Sequence, residues 1–239
     1  DSARDVRIWH AEGDTPGQLR LKTYRRGGLI PLSEAVPVLE NFGFRVLEEM
    51  PTALTGGAGY IHDFRVEIGG EADLDSILAR SAQIEGAIAN VLRGTSEDDE
   101  FNQLVLYAGL EMQAVVWLRA WFRYLRQTGS SFGLATIVDA LRRAPDATRA
   151  LIGLFTAAHD PSINGRDKKL EQLRGDMDSA LAKVRSIDDD RILRRLRSLV
   201  EAIVRTNAFA PAAAEALAFK INSSLVPGLP RPIPWREIW

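Results

Sequence analysis

At 239 residues with a net charge of −2, the chain is long enough for one large or two modest domains and has no general attraction for nucleic acid or an anionic membrane. It contains no cysteine, which excludes disulfides, thiolate catalysis and thiolate metal sites. No apolar run approaches the ~20 residues of a membrane span, and Asp1-Ser-Ala-Arg-Asp5 lacks the apolar segment of a signal peptide.

The first part mixes strands and helices. Val6-Arg-Ile-Trp9 is β-prone, Gly13-Asp-Thr-Pro-Gly17 is a turn cluster, and Leu19-Arg-Leu-Lys-Thr-Tyr24 alternates apolar and polar as a half-buried strand does. These two segments are expected to form a hairpin. Arg25-Arg-Gly-Gly28 makes a sharp turn. Ser33 then stands in an N-cap position, followed by Val36, Leu39 and Phe42 at helical spacing, with Pro37 in the first turn. Asn41-Phe-Gly43 ends that helix. Phe44–Met50 and Tyr60–Ile68 read as strands around a Thr55-Gly-Gly-Ala-Gly59 loop. Asp73 caps a helix whose buried side is Leu74, Ile77, Leu78, Ile84 and Ile88. The order strand, strand, helix, strand, strand, helix suits a ferredoxin-like α+β unit whose edge strand comes from the N-terminal end.

Beyond Arg93-Gly94 the pattern is helical. Residues 1–100 carry 10 Lys and Arg against 18 Asp and Glu, or −8, and the remainder carries 20 against 14, or +6, which supports a boundary near 95. Ser96-Glu-Asp-Asp-Glu100 supplies acidic residues at the start of a helix bearing Phe101, Leu104, Val105 and Ala108, interrupted at Gly109. A second helix runs from about Glu111 to Gln127 with Val115, Leu118, Trp121, Phe122 and Leu125 inward. Ser131 opens a third, to Arg143, and Pro145 sits at the first position of a fourth, to Ala158. Residues 166–207 read as two long helices, with seams Leu170, Leu173, Met177, Leu181, Val184 and Ile192, Leu196, Leu199, Ile203, folded into an antiparallel hairpin. Asp188-Asp-Asp190 caps the second of them.

The tail alternates at Phe219, Ile221 and Leu225, as a strand would, then carries four prolines between Pro227 and Pro234 that favour an extended run. Trp235-Arg-Glu-Ile-Trp239 is too apolar for a solvated tail. It reads as the entry into a sheet, and the chain as a piece of a longer polypeptide.

His10, His62 and His159 have no partner at metal-motif spacing, and no G-x-S-x-G, P-loop or G-x-G-x-x-G occurs. Tyr60–Asp63, beside a glycine loop, reads as strand packing, with His62 and Asp63 on opposite faces. Arg26, Gly27 and Gly28 with Ser33 are the candidate small-ligand or anion site, since a glycine turn feeding a helix start offers N–H groups to an anion. The bland alternative is that the glycines only permit a tight turn. The Arg191/Arg194/Arg195/Arg197 cluster lacks interleaved aromatics and reads as a solvated or subunit-contact face. Trp117, Trp121, Phe122 and Tyr124 read as core.

Two long blocks carry a family resemblance. One is Tyr24–Val46 followed by Ile61-His-Asp-Phe64; the other is Asp189–Asn207 followed by Phe219-Lys-Ile and Val226-Pro-Gly-Leu-Pro-Arg-Pro232. With Phe101–Leu106 and Tyr124–Gln127, they resemble the middle of the large bacterial NAD-specific glutamate dehydrogenases. The resemblance implies an ACT-like module over 1–94, a helical bundle over 95–210 and the start of a catalytic domain over 211–239. It implies a parent that oxidises L-glutamate to 2-oxoglutarate and ammonia with NAD, in the cytoplasm, and a segment that holds no catalytic residue, metal or NAD site itself. Implied partners are the downstream catalytic domain, further copies of the chain and an amino-acid effector, and neither nucleic acid nor membrane. The rival expectations are an independent ligand-sensing ACT-like module coupled to a helical interaction domain, and a protein-binding scaffold.

Overall fold

A computed structural model describes residues 4–69 and 73–239. The chain divides into two compact units, residues 1–115 and 116–239.

In the first unit, β1 (Arg4–Trp9) and β2 (Gln18–Arg25) form the expected hairpin. With β3 (Phe44–Ala53) and β4 (Tyr60–Ile68) they make an antiparallel sheet of order β1-β2-β4-β3, the ferredoxin-like arrangement with its edge strand taken from the N-terminal end. One face is apolar because β-strand side chains alternate. Val6, Ile8, Leu19, Leu21, Phe64 and Val66 are buried there beneath α1 (Leu32–Asn41) and α3 (Ser81–Leu92). The other face carries ion pairs, Lys22–Asp63 at 3.4 Å, Arg65–Glu48 at 2.9 Å and Arg45–Glu67 at 3.2 Å, exposed enough to add little stability. On the edge strand β1, the N–H of Ile8 donates to the Glu85 carboxylate of α3 at 2.8 Å, so that edge does not present a free donor there.

Several helix boundaries differ from the sequence reading. The N-cap of α1 is Pro31, whose carbonyl accepts from Glu34 and Ala35, and Ser33 lies inside the helix and caps nothing. Extended backbone at Pro31 (φ −58°, ψ 139°) starts the helix earlier than a search for a capping side chain suggests, and Pro37 consequently falls beyond the first turn. The helix expected from Asp73 is two: α2 (Leu74–Ala79), capped by Asp73 as expected, and α3, with non-helical backbone at Arg80 between them. The Arg80 guanidinium donates to the carbonyls of Val105 and Leu106 at 2.9 and 3.1 Å, in the last turn of α4 (Gln103–Tyr107), where carbonyls lack helical partners.

The second unit takes in most of α5 (Met112–Gln127) together with α6 (Leu134–Arg143), α7 (Pro145–His159), α8 (Arg166–Leu181) and α9 (Ile187–Ala202). Gly133, and not Ser131, precedes α6, which begins without a side-chain cap. Pro145 occupies the first turn of α7 as expected. Phe155 is fully buried at the centre, with ring centroids of Trp117, Trp121, His159, Phe209 and Phe219 between 4.8 and 6.0 Å away. Helices α8 and α9 are antiparallel and joined by Arg174–Glu201 and Arg197–Asp178 ion pairs, yet the apolar side of α8 rests chiefly on α7. Asp189, buried in the first turn of α9, accepts from Arg143 in the last turn of α6 at 2.8 and 2.9 Å. Each charge also sits at the helix end whose dipole favours it.

Residues 203–206 are not helical. Ile203–Thr206, rich in β-branched side chains, form β5, which pairs with β6 (Phe219–Ile221) and through it with β7 (Glu237–Ile238). The strand expected to reach Leu225 stops at Ile221, and Ser223–Leu225 make a 3-10 turn. Trp239 exchanges backbone hydrogen bonds with Phe219, stacks on its ring and donates from Nε1 to Gln127 at 2.9 Å. Tyr124 donates to the Glu237 carboxylate at 2.7 Å, and burial followed by this bond pushes the phenol above its ordinary range. Trp235 and Ile238 are each 81% exposed.

His159, at the end of α7, is held below its usual 6.5 by burial and then by the charge of Arg166. It is therefore neutral in the fold, while the unfolded chain takes up a proton first on acidification. Stability should accordingly fall as the pH drops below about 6.5 and through the lower folded value. The expected result is that His159→Gln narrows the gap between urea midpoints at pH 7.5 and pH 5.5; an unchanged gap would refute it.

Candidate functional site

The turn that the sequence singles out leaves β2 at Arg25 and enters α1 at Leu32. Arg26, Gly27 and Gly28 are exposed on it, with Gly27 at φ +90°, and Ser33 is exposed on the first turn of α1. The backbone N–H groups of Leu32 and Ser33 have no intrahelical acceptor, as at every helix start. A side chain built at Gly27 or Gly28 would meet nothing within 4 Å, so these residues form an open apex and not an enclosing cradle.

What holds the turn lies beneath it. Arg25 closes it by donating from Nη1 to the Leu29 carbonyl at 2.8 Å. Ile30 is buried, and its N–H donates to Nε2 of His62 at 3.1 Å. His62, 1% exposed, makes its other ring contact through Nδ1 to Glu49 Oε1 at 2.8 Å. Because Nε2 accepts, the proton of the neutral ring is on Nδ1, donating to the carboxylate. Thr23, in register with His62 on β2, adds a fully buried hydroxyl that has no hydrogen-bond partner in the structure.

His62 thus packs within the strand as expected, but it also ties β4 to the turn. Glu49 was beyond sequence reasoning. Continuing the alternation of Phe44 and Val46 turns Glu48 inward; a β-bulge between Val46 and Glu48 shifts the register so that Glu49 faces the helices instead.

Other candidates carry less. The arginines of α9 are engaged locally: Arg191 with Asp188 at 3.4 Å, Arg194 with Asp190 at 2.8 Å, and Arg197 with Asp178 and Glu201. A groove of about 380 Å³ between α7 and α8 has its charges matched, Asp146 lying against Arg149 and Lys183. Among the described residues no group of three or more His, Asp or Glu side chains is placed to hold a metal ion, and no helix is long and apolar enough to cross a membrane.

Comparison with known proteins accounts for most of the chain in three consecutive blocks. Residues 4–77 match the family described as glutamate dehydrogenase, ACT3 domain; residues 96–161 match glutamate dehydrogenase, helical motif 3; residues 176–239 match bacterial NAD-glutamate dehydrogenase, catalytic domain. An NAD-specific glutamate dehydrogenase of Pseudomonas aeruginosa is 36% identical over 233 residues, 93% of this chain and 14% of that protein. That of Halomonas elongata is 34% identical over 227 residues, 92% of this chain and 14% of its own length. The protein of the same name from Mycobacterium tuberculosis is 34% identical over 252 residues, covering 98% of this chain and 15% of the relative. The chain therefore spans about one seventh of these relatives, and it belongs to the NAD-specific glutamate dehydrogenase family, over the stretch from the ACT3 domain through helical motif 3 into the catalytic domain.

Proposed function

We propose that this chain is an accessory, regulatory and assembly segment of an NAD-dependent glutamate dehydrogenase that acts in the cytoplasm. The whole enzyme would convert L-glutamate, NAD and water to 2-oxoglutarate, ammonium, NADH and a proton. The observation that carries this reading is the uninterrupted order of three glutamate dehydrogenase blocks along the chain. The described residues do not fit a dinucleotide. Both sheets pair their strands antiparallel, and the glycine turn after β2 leads to no neighbouring parallel strand, whereas a dinucleotide fold needs a parallel βαβ crossover at the phosphate turn. No chemical step is therefore assigned to residues of this chain.

In this reading residues 1–94 are the ACT-like module, 95–210 the helical bundle and 211–239 the opening of the catalytic domain, while the catalytic-domain match from residue 176 favours placing that opening earlier. The rest of the catalytic domain is the partner proposed for β7. That strand stands at a sheet edge, and the exposure of its Ile238 and of nearby Trp235 supports a covering partner there. Further copies of the chain complete the assembly.

The test is glutamate-dependent NAD reduction by the purified chain, with the full-length enzyme as reference. No turnover is expected from the chain; turnover would overturn the accessory reading. An amino-acid effector at Arg26, Gly27, Gly28 and Ser33 is tested by calorimetry with L-amino acids. A single-site heat that disappears in Gly28→Val is expected, and silence at millimolar ligand would remove the effector from the proposal.

A further inference from the structure

We propose that Glu49, His62 and Thr23 form a proton-operated latch on the Arg26–Pro31 turn, in which a second proton on His62 transfers its Nε2 from the Ile30 N–H to the Thr23 hydroxyl. The inference does not depend on whether the turn binds an effector.

The latched state is fixed by geometry. Nε2 accepts from Ile30 at 3.1 Å and Nδ1 donates to Glu49 at 2.8 Å, so the ring carries one proton and both nitrogens are used. An imidazolium has two N–H groups and no acceptor. Protonation at Nε2 sets an N–H against the N–H of Ile30, and that bond must break. Burial makes two facing donors costly, so the ring and the turn cannot both stay where they are. The Nδ1–H···Glu49 bond survives and strengthens, since it becomes a bond between opposite charges.

In this proposal the acceptor for the new proton is Thr23. Thr23 is directly opposite His62 in the β2–β4 register, where cross-strand Cβ atoms lie about 4.5–5.5 Å apart. Its hydroxyl is buried, unpartnered and able to accept. A buried hydroxyl without a partner is costly in the latched state, and becomes useful in the released one.

Charged groups come to the ring from several elements. From β3, the Glu49 carboxylate accepts from Nδ1. From β2 and the turn, Arg25 is held on the Leu29 carbonyl, and Arg26 is exposed. Lys22 and Asp63 pair on the opposite face of the sheet, and Glu34 of α1 is exposed. Along β4 itself, the Phe64 ring stacks at 6.2 Å and brings no charge.

The experiment follows the Ile30 amide by hydrogen exchange and the His62 ring by two-bond 1H–15N correlation, in the intact chain between pH 7.5 and 5. At pH 7.5 the ring should be the Nδ1–H form and Ile30 protected. Ile30 should lose about tenfold or more of its protection factor at the midpoint where His62 gains its second proton. Thr23→Val, close in shape, should move that midpoint to lower pH by removing the waiting acceptor. Ile30 protection unchanged through the His62 titration, an Nε2–H ring at pH 7.5, or an unmoved midpoint in Thr23→Val would each overturn the latch.

Discussion

Phe155→Ala should destabilise the 116–239 unit by about 3–5 kcal/mol, the cost of removing a large buried ring whose surroundings cannot collapse to fill the space. Phe155 is 0% exposed, and Trp117, Trp121, Phe209 and Phe219 all pack against it, from one helix, a loop and a strand. The lost contacts are not recoverable by a single side-chain adjustment, because the neighbours are anchored on three different elements, α5, the loop at Phe209 and β6. Phe155→Leu keeps more of the volume and should lose markedly less. Urea unfolding followed by tryptophan fluorescence is the measurement, since four of the five tryptophans, Trp117, Trp121, Trp235 and Trp239, belong to this unit. A Phe155→Ala loss below about 1 kcal/mol would contradict a close-packed aromatic centre.

Gly59→Ala should cost the 1–115 unit about 2–4 kcal/mol, combining a strained backbone with a clash that cannot be relieved. Gly59 closes the β3–β4 loop at φ +146°, where its carbonyl accepts from Leu54 at 2.8 Å. A Cβ there would sit 2.2 Å from the Arg25 carbonyl oxygen and 3.1 Å from the Arg26 Cα, atoms of the main chain that enter the ligand-candidate turn. The comparison is Gly28→Ala, at ordinary φ with nothing within 4 Å, which should be nearly neutral. Guanidinium unfolding of the two variants, monitored by hydrogen exchange in β2 and β4, separates them. Equal midpoints would show that the loop yields without cost.

The elements that were legible in the sequence are those whose cause is local. Leu19, Leu21 and Thr23 alternate in β2 because a strand's period is two, and the buried positions found there are the ones the alternation gives. Pro145 opens α7 and Asp73 caps α2 through contacts within a few residues. Boundaries failed where a neighbour in sequence was not the deciding partner. Ser33 has the chemistry of a cap, but the extended backbone at Pro31 begins the helix first. Ile203–Thr206 follow a strong helical seam, yet pairing with Phe219–Ile221 draws them into a sheet.

The candidate site divides in the same way. Arg26, Gly27, Gly28 and Ser33 could be chosen from sequence because turn chemistry is written in residue types; Arg26–Gly28 are exposed on the turn and Ser33 is exposed in the first turn of α1. Glu49 could not, since a single bulge residue reverses which glutamate faces inward. By itself the sequence determined the α+β order, the absence of thiol chemistry and the family, because these depend on periodicity, composition and long matching blocks. Only the tertiary structure decided that His62 joins Glu49 and Ile30 opposite Thr23, and that Trp239 packs on Phe219 while Trp235 stays largely exposed. Such pairings join residues 13 to 112 positions apart, and no local preference encodes a partner at that distance.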